Sequence, residues 1–241
     1  MTTALLIARR ELRGYFSSSS GWFILAVLLA LAGLAFNAFA MAGEKKSFDV
    51  LQNFFYWFSG ATMVASVFIS MRLFAEEKQV GTLVLLEASP AREVEVVLGK
   101  FLGAWAFLLL FLALSLYMPV LVMVNGKVTL GHLFAGYLGL ALLGAACIAI
   151  GAFMSALAPN QVVAAVLSGA VIFALVLAWL LAKNIDGVLG DVIGWLDVFD
   201  QHYRTFSRGV VKLSSVVYYS ALTYAFLLAA TAVLGARRWR G

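Results

Sequence analysis

Residue types that could do chemistry are few in this chain, and they gather in three places. Arg9, Arg10 and Arg13 stand near the N-terminus, Glu76, Glu77 and Lys78 follow in the first third, and Asp197, Asp200, His202, Arg204 and Arg208 lie toward the C-terminal end. The third group carries the residue types of acid–base chemistry, and His202, Arg204 and Arg208 are its most site-like members. Its expected role is humbler: anchoring at lipid headgroups, or pairing with the neighbouring aspartates. His132 opens an apolar stretch with no catalytic partner beside it, and Cys147, the single cysteine, permits no internal disulfide. No HExxH, no paired acid within an apolar stretch and no cluster with metal-ligand spacing occurs, which excludes the usual intramembrane proteases and metal enzymes. Nor is there a GxxxxGK[ST], so the chain does not bind ATP through a P-loop.

The elements that must position these residues are dictated by composition. Of 241 residues, 63% are hydrophobic and 12% charged. Soluble domains carry roughly 45–50% apolar and about 25% charged residues. Too few charges remain to cover a water-soluble fold, so a bilayer must solvate most of the surface. Soluble enzyme, disordered regulator and disulfide scaffold are excluded. The formal charge of +5 is scattered in short clusters, which suits control of membrane topology better than nucleic-acid binding. The N-terminal residues lack the order of a secretory signal, so the first spanning helix is expected to serve as its own insertion signal.

Stretches free of Asp, Glu, Lys and Arg run over 14–43, 50–71, 101–126, 128–182 and 213–236. About 20 residues rising 1.5 Å each cross the hydrocarbon core. Four stretches therefore hold one helix each, and the long fourth one holds two, separated at Ala158, Pro159, Asn160 and Gln161. The reading is an all-α polytopic membrane protein with six transmembrane helices, at about 20–41, 51–73, 98–122, 132–156, 161–182 and 214–235. In domain terms it is one transmembrane unit: 1–19 an interfacial helix, 20–73 the first two spans, 74–97 a cytoplasmic loop, 98–182 spans three to five, 183–213 an outer loop, and 214–241 the last span with its basic C-terminus. An even number of spans puts both termini on one side. Arg9, Arg10, Arg13, Arg237, Arg238 and Arg240 beside the terminal spans make that side cytoplasmic.

Between the spans, residues 4–16 are amphipathic at helical spacing, with Leu5, Leu12 and Phe16 on one side and Arg9, Arg10 and Arg13 on the other. This predicts a surface helix on the cytoplasmic leaflet, and Ser17 to Ser20 supply a turn before the first span. In the cytoplasmic loop, Gly81 allows a turn, Thr82 can cap, and Leu83, Val84, Leu85 and Leu86 form an apolar stretch too short to span. Such a helix needs either a bilayer surface or a protein groove. Ser89 and Pro90 mark the start of the helix that becomes span 3. The outer loop contains apolar pieces that could dip into the leaflet as short helices. Small residues at Cys147 and Gly151, and at Ala165 and Gly169, permit close helix contact. No charged residue falls mid-membrane, which argues against an ion-driven carrier.

Two stretches resemble the six-helix permease subunits of ABC-2 type ABC transporters, especially the gliding-motility-associated permeases. MRLFAEEKQVGTLVLLEASPAREVEVVLGK, residues 71–100, follows the pattern RxxxEEKxxGTLExLLxxP…GK. FSRGVVKLSSVVYYSALTYAFLLAATAVLGARRWR, residues 206–240, follows the pattern around the last span, including Gly209, Tyr218, Tyr219 and the closing RRW. Val84, Lys212 and Ser215 stand where the pattern has acids. The resemblance implies that the stretch 71–100 is a coupling region that docks into a cleft of an ATPase, with Glu76 and Glu77 as its paired acids, Gly81 and Thr82 as its GT, and Leu83, Leu85 and Leu86 as its apolar face. It favours the protein groove over the bilayer for the short apolar helix.

The same resemblance implies a non-catalytic half-transporter in a bacterial inner membrane. Two permease copies, most simply a homodimer, would pair with two cytoplasmic P-loop ATPase chains that bind the ATP and Mg. The chain itself would hold no cofactor or metal. Membrane lipids, and an accessory protein on the periplasmic or extracellular side, complete the expected partners; nucleic acid does not. Relatives mostly export, which suggests an amphipathic, lipid-linked or polymeric substrate. Coupling would move residues 74–90 as a lever and change how spans 1, 2 and 5 meet across the dimer, with Trp195, His202, Arg204, Arg208 and Tyr218 around a shared outer mouth. The alternative is a membrane anchor or force-transmitting subunit that rearranges an outer partner without moving a solute.

Overall fold

The computed structural model describes residues 3–40, 47–82, 91–125, 129–183, 187 and 194–238. In chain order the helices are α1 Thr3–Ser17, α2 Ser19–Ala35, α3 Ser47–Ser70, α4 Arg72–Val80, α5 Glu93–Ser115, α6 Tyr117–Asn125, α7 Leu130–Leu157, α8 Gln161–Ala182, α9 Arg204–Ser207 and α10 Leu213–Arg238. Wide π turns extend α2 through Phe36–Ala40 and precede α9 at Val198–Tyr203. No strand occurs among the described residues. Six segments are long and apolar enough to cross a membrane: Gly21–Ala38, Ser47–Val80, Glu93–Val124, Leu130–Leu157, Gln161–Ala182 and Leu213–Ala236. The six-span, all-α reading holds. The break at Pro159 lies where expected: Ala158 leaves helical geometry, and the Asn160 side chain caps α8 by accepting from Val163 N at 2.9 Å.

Burial sorts the spans. Within the most apolar 18 residues of each, 72% are buried in the fourth and 61% in the second, against 22% in the first, fifth and sixth. α7 is therefore the hub, packing on α3, α5, α8 and α10. Its small residues allow this. At Gly151 a Cβ would overlap the Ser70 hydroxyl, so α7 and α3 come together closely there. Gly169 meets open space. Between α3 and α5 the contact is aromatic, with Phe54, Phe58 and Phe111 stacking in sequence at 5.0 and 5.3 Å, and Tyr15 of α1 stacks on Phe107 of α5 at 4.6 Å.

Two local expectations need correction, and one lies partly outside the described residues. The third span is not one helix. Pro119 has no N–H to donate to Ser115, so the helix breaks at Leu116, whose own N–H bonds Ala113 at 3.2 Å, and resumes as α6. The described part of this helix begins at Glu93, where Arg92 N donates to Glu95 Oε2 at 3.2 Å, while Ser89 and Pro90 lie outside the described residues. Lastly, the second span does not end at residue 73 but continues, interrupted only at Met71, as α4.

Candidate functional site

The interruption at Met71 is held from two sides. The first N–H groups of any helix lack partners within it. Here Phe74 N and Ala75 N both donate to Ser155 Oγ of α7, at 3.0 and 2.9 Å, and that hydroxyl donates onward to the Met71 carbonyl at 3.1 Å. From the opposite side Tyr15 of α1 donates to the Ile69 carbonyl at 2.8 Å. Burial holds the Tyr15 phenol above its ordinary pKa, so it remains a neutral donor. One turn on, Lys78 Nζ reaches the C-terminal carbonyls of α7. It donates to Ser155 O at 3.4 Å, to Ala158 O at 2.9 Å and to Ala156 O. Those carbonyls carry the negative end of the helix dipole and have no intrahelical donor. Ala75 completes the seat by packing against Ala158 and Ala164.

Beside the elbow lies a compact ion cluster. Lys100 is 1% exposed, and its Nζ stands 2.8 Å from both Glu11 Oε1 and Glu77 Oε1, joining α5, α1 and α4. Arg10 approaches Glu77 Oε1 at 3.5 Å from the rim. Arg72 forks onto Glu76 at 2.8 and 3.3 Å and lies over the Tyr15 ring at 5.6 Å. Arg10, Glu11, Arg72, Glu76, Glu77 and Lys100 line a cleft of about 360 Å³. Two glycines make the cluster possible. A Cβ on Gly99 or Gly103 would come within 2.7 Å of α1 atoms, so α1 lies directly on the start of α5 only because these two side chains are missing. Gly81, at φ 77, ends α4 in the left-handed region, with Gly81 N bonding Lys78 O and Thr82 N bonding Glu77 O at 2.9 Å.

α1 presents three faces rather than two. Tyr15 is buried, Ile7 and Leu12 pack on the core, and Glu11 turns to Lys100. Arg9, Arg10 and Arg13 are exposed, as expected, and so are Leu5 and Phe16. Leu12 thus faces protein, while Leu5 and Phe16 remain free to meet a bilayer.

At the other end of the bundle the outer candidates pack into a plug. His202 stacks on Tyr218 with ring centroids 3.9 Å apart, and Trp195 meets both edge-on. Tyr218 OH donates to Leu196 O at 2.8 Å, Tyr219 OH to Val198 O at 2.6 Å, and Tyr203 OH to Phe55 O at 3.0 Å. Asp197 starts the π turn by accepting from Phe199 N and Gln201 N. Burial pushes the His202 pKa below its ordinary value and that of Asp197 above it. Arg204 pairs with Asp200 at 2.8 Å, as the pairing expectation had it. Arg208 is exposed, whereas His202 and Tyr218 are buried, so His202 does not anchor at a headgroup.

The structure thus brings Glu76 and Glu77 together with Arg72 and Lys100, and places Gly81 and Thr82 at the end of α4. Leu83, Leu85 and Leu86 lie outside the described residues. Glu11, Tyr15, Lys78 and Ser155 were missed as parts of the site. The spacing Gly99-x-x-x-Gly103 was a readable signal for a helix lying on α5. Nothing local marks Ser155 among the serines of apolar helices.

Against known proteins, a search of curated sequences finds no match to this chain. A family model described as ABC-2 family transporter protein matches residues 39–235, from the end of the first span to the end of the last. With the six spans and the elbow after the second in place, that match covers most of the molecule, and the chain belongs to the ABC-2 family of transporter proteins.

Proposed function

We propose that this chain is the membrane-spanning subunit of an ATP-driven exporter, working as two permease copies with two cytoplasmic ATPase chains. Membership in the ABC-2 family makes it a membrane transport component and implies an ATPase partner. The observation that carries the coupling role is the elbow. α4 emerges from the second span and is bonded to α7 through Ser155 and Lys78, and to α1 and α5 through Lys100. A displacement of the segment after α4 therefore acts on a braced lever rather than a loose loop. ATP and Mg bind on the partner, and the permease supplies differential packing between two states. Export of an amphipathic, lipid-linked or polymeric substrate fits spans whose described parts carry no mid-membrane charge. The Lys/Arg bias supports cytoplasmic termini in a bacterial inner membrane. The stretches 71–100 and 206–240 support a place among the gliding-motility-associated permeases.

The test has two steps. The chain is purified from native membranes in mild detergent, and a P-loop ATPase is expected to come with it; recovery without one counts against the reading. The Leu83→Asp, Leu86→Asp double variant should then insert normally yet lose that partner, because an unpaired charge pressed into an apolar groove costs several kcal/mol. Retention of the ATPase at parental levels with normal ATP turnover removes those leucines from the docking face. In reconstituted vesicles, ATP-dependent solute movement separates export from a purely force-transmitting role.

A further inference from the structure

The elbow carries a division of labour that family membership does not assign. α4 continues the second span, but three of its donors, Phe74 N, Ala75 N and Lys78 Nζ, bond to α7. The two N–H groups of its first turn, Phe74 and Ala75, are both taken by the Ser155 hydroxyl of α7, which also binds the Met71 carbonyl at the interruption itself. Ser155 is wholly buried, so water does not compete for these three bonds. Lys78 then closes the C-terminus of α7 through the carbonyls of Ser155, Ala156 and Ala158. Ala75 fits against Ala158 and Ala164, at the turn joining α7 to α8. Side chains this small leave little room for sliding, and Gly151 brings α7 against Ser70 one turn away.

We propose that Ser155 and Lys78 are positioning residues that make α4 and the cytoplasmic end of α7 move as one body. Motion imposed on α4 then enters the bundle through α7, the most buried span, and passes to α10, which packs along α7. It does not pass chiefly up α3. A hydroxyl that takes two N–H groups of α4, and an ammonium that serves three carbonyls at the end of α7, tie α4 to α7 at two points one turn apart. This inference rests on the reading of α4 as the element that a partner displaces, but the rigid body itself does not depend on any partner.

The experiment uses the full chain in lipid nanodiscs with spin labels at Gln79 and Val162, both exposed, in a Cys147→Ala background. The parent should give one narrow distance distribution across α4 and α8. Ser155→Ala with Lys78→Met should broaden it while the chain still elutes as a folded species, and Lys78→Arg, which keeps a donor for the α7 carbonyls, should retain the narrow distribution. A double variant as narrow as the parent overturns the proposal without reference to any ATPase. When the complex with its ATPase is trapped with ADP and vanadate, the parent distance should stay constant while a label pair between Gln79 and the outer end of α3 changes. A change in the Gln79–Val162 distance of the trapped parent also overturns it. Absence of a co-purifying ATPase instead sinks the function proposed above and leaves the first arm to decide this one.

Discussion

At the residue scale, the same charge type has very different weight within the cluster around Lys100. Arg10 is 63% exposed and reaches Glu77 only at 3.5 Å, whereas the Lys100 side chain is 2% exposed and serves two carboxylates at 2.8 Å. An exposed pair contributes roughly 0–1 kcal/mol, while removing one partner of a buried pair costs about 3–5 kcal/mol. Lys100→Met should therefore lower the thermal unfolding midpoint of the detergent-solubilised chain sharply, and Arg10→Ala should barely move it; equal shifts would mean the cluster is hydrated and weak. At the opposite end of the bundle His202 supplies a pH dependence. Its folded pKa is held below the unfolded value, so the unfolded chain binds the extra proton and stability falls as pH drops through about 6.5. Burial shifts the Asp197 carboxyl in the opposite direction, so the imidazole is identified by comparing the parent with a His202 variant over the interval between about pH 7 and 5.5. The groups around the imidazole are Trp195, Tyr218, Tyr219 and the Asp197 carboxylate. His202→Phe, which keeps a ring against Tyr218, should abolish the acid-induced loss measured by thermal unfolding across that interval, and an unchanged pH profile would exonerate His202.

At the scale of elements, the spans were legible because each is a charge-free run of the right length, and the turn at Pro159 because proline and two amides interrupt one. The faces of α1 were only half legible. Exposed arginines show in a helical projection, but the face carrying Ile7, Glu11 and Tyr15 mixes apolar and acidic residues, and its partner is the pair of missing side chains at Gly99 and Gly103. The break at Leu116 was readable from Pro119 but gave way to the continuous hydrophobicity around it. Ser155 could not be read at all, because its value lies in where the chain brings Phe74 and Ala75, some eighty residues earlier. The glycine seat has a direct consequence. Gly103→Leu should lift α1 off α5, since a Cβ alone already meets Glu11 and Ala8 closer than 3 Å. A cysteine at Ala8, half-buried in the parent, should then react faster with a membrane-impermeant maleimide added to inside-out vesicles; equal labelling rates in both would show that α1 has room to spare.

For the whole molecule, the uneven burial of the spans bears on assembly. α7 and α3 are the core of the chain, yet α3 still exposes Tyr56, Trp57, Val64 and Phe68 along one side, and α2 and α8, which both pack on α3, are largely uncovered. A helix in the middle of a bundle that keeps one face open has that face available to lipid or to another copy. A pathway enclosed within one chain would be walled almost wholly by apolar side chains, because the charged groups that the structure describes lie near the two ends, as in the Lys100 cluster and beside the His202 plug, and the mid-span hydroxyls of Ser59, Thr62, Ser66 and Ser168 are tied to carbonyls of their own helices. Two copies related by a two-fold axis would instead bring the α2, α3 and α8 faces together and place the Trp195–Tyr218 regions around one outer mouth. The closing prediction follows from that arrangement. Single cysteines placed along α8 at the exposed positions Val162, Val166 and Phe173, and along α2 at Phe23, Val27 and Leu34, in a Cys147→Ser background, should cross-link chain to chain at helical spacing in native membranes. Cysteines at Ala164, Ser168 and Ile172, which face inward, should not. If no exposed α2 or α8 position links while the complex still hydrolyses ATP, the two permeases do not meet through these spans, and the open face of α3 belongs to lipid.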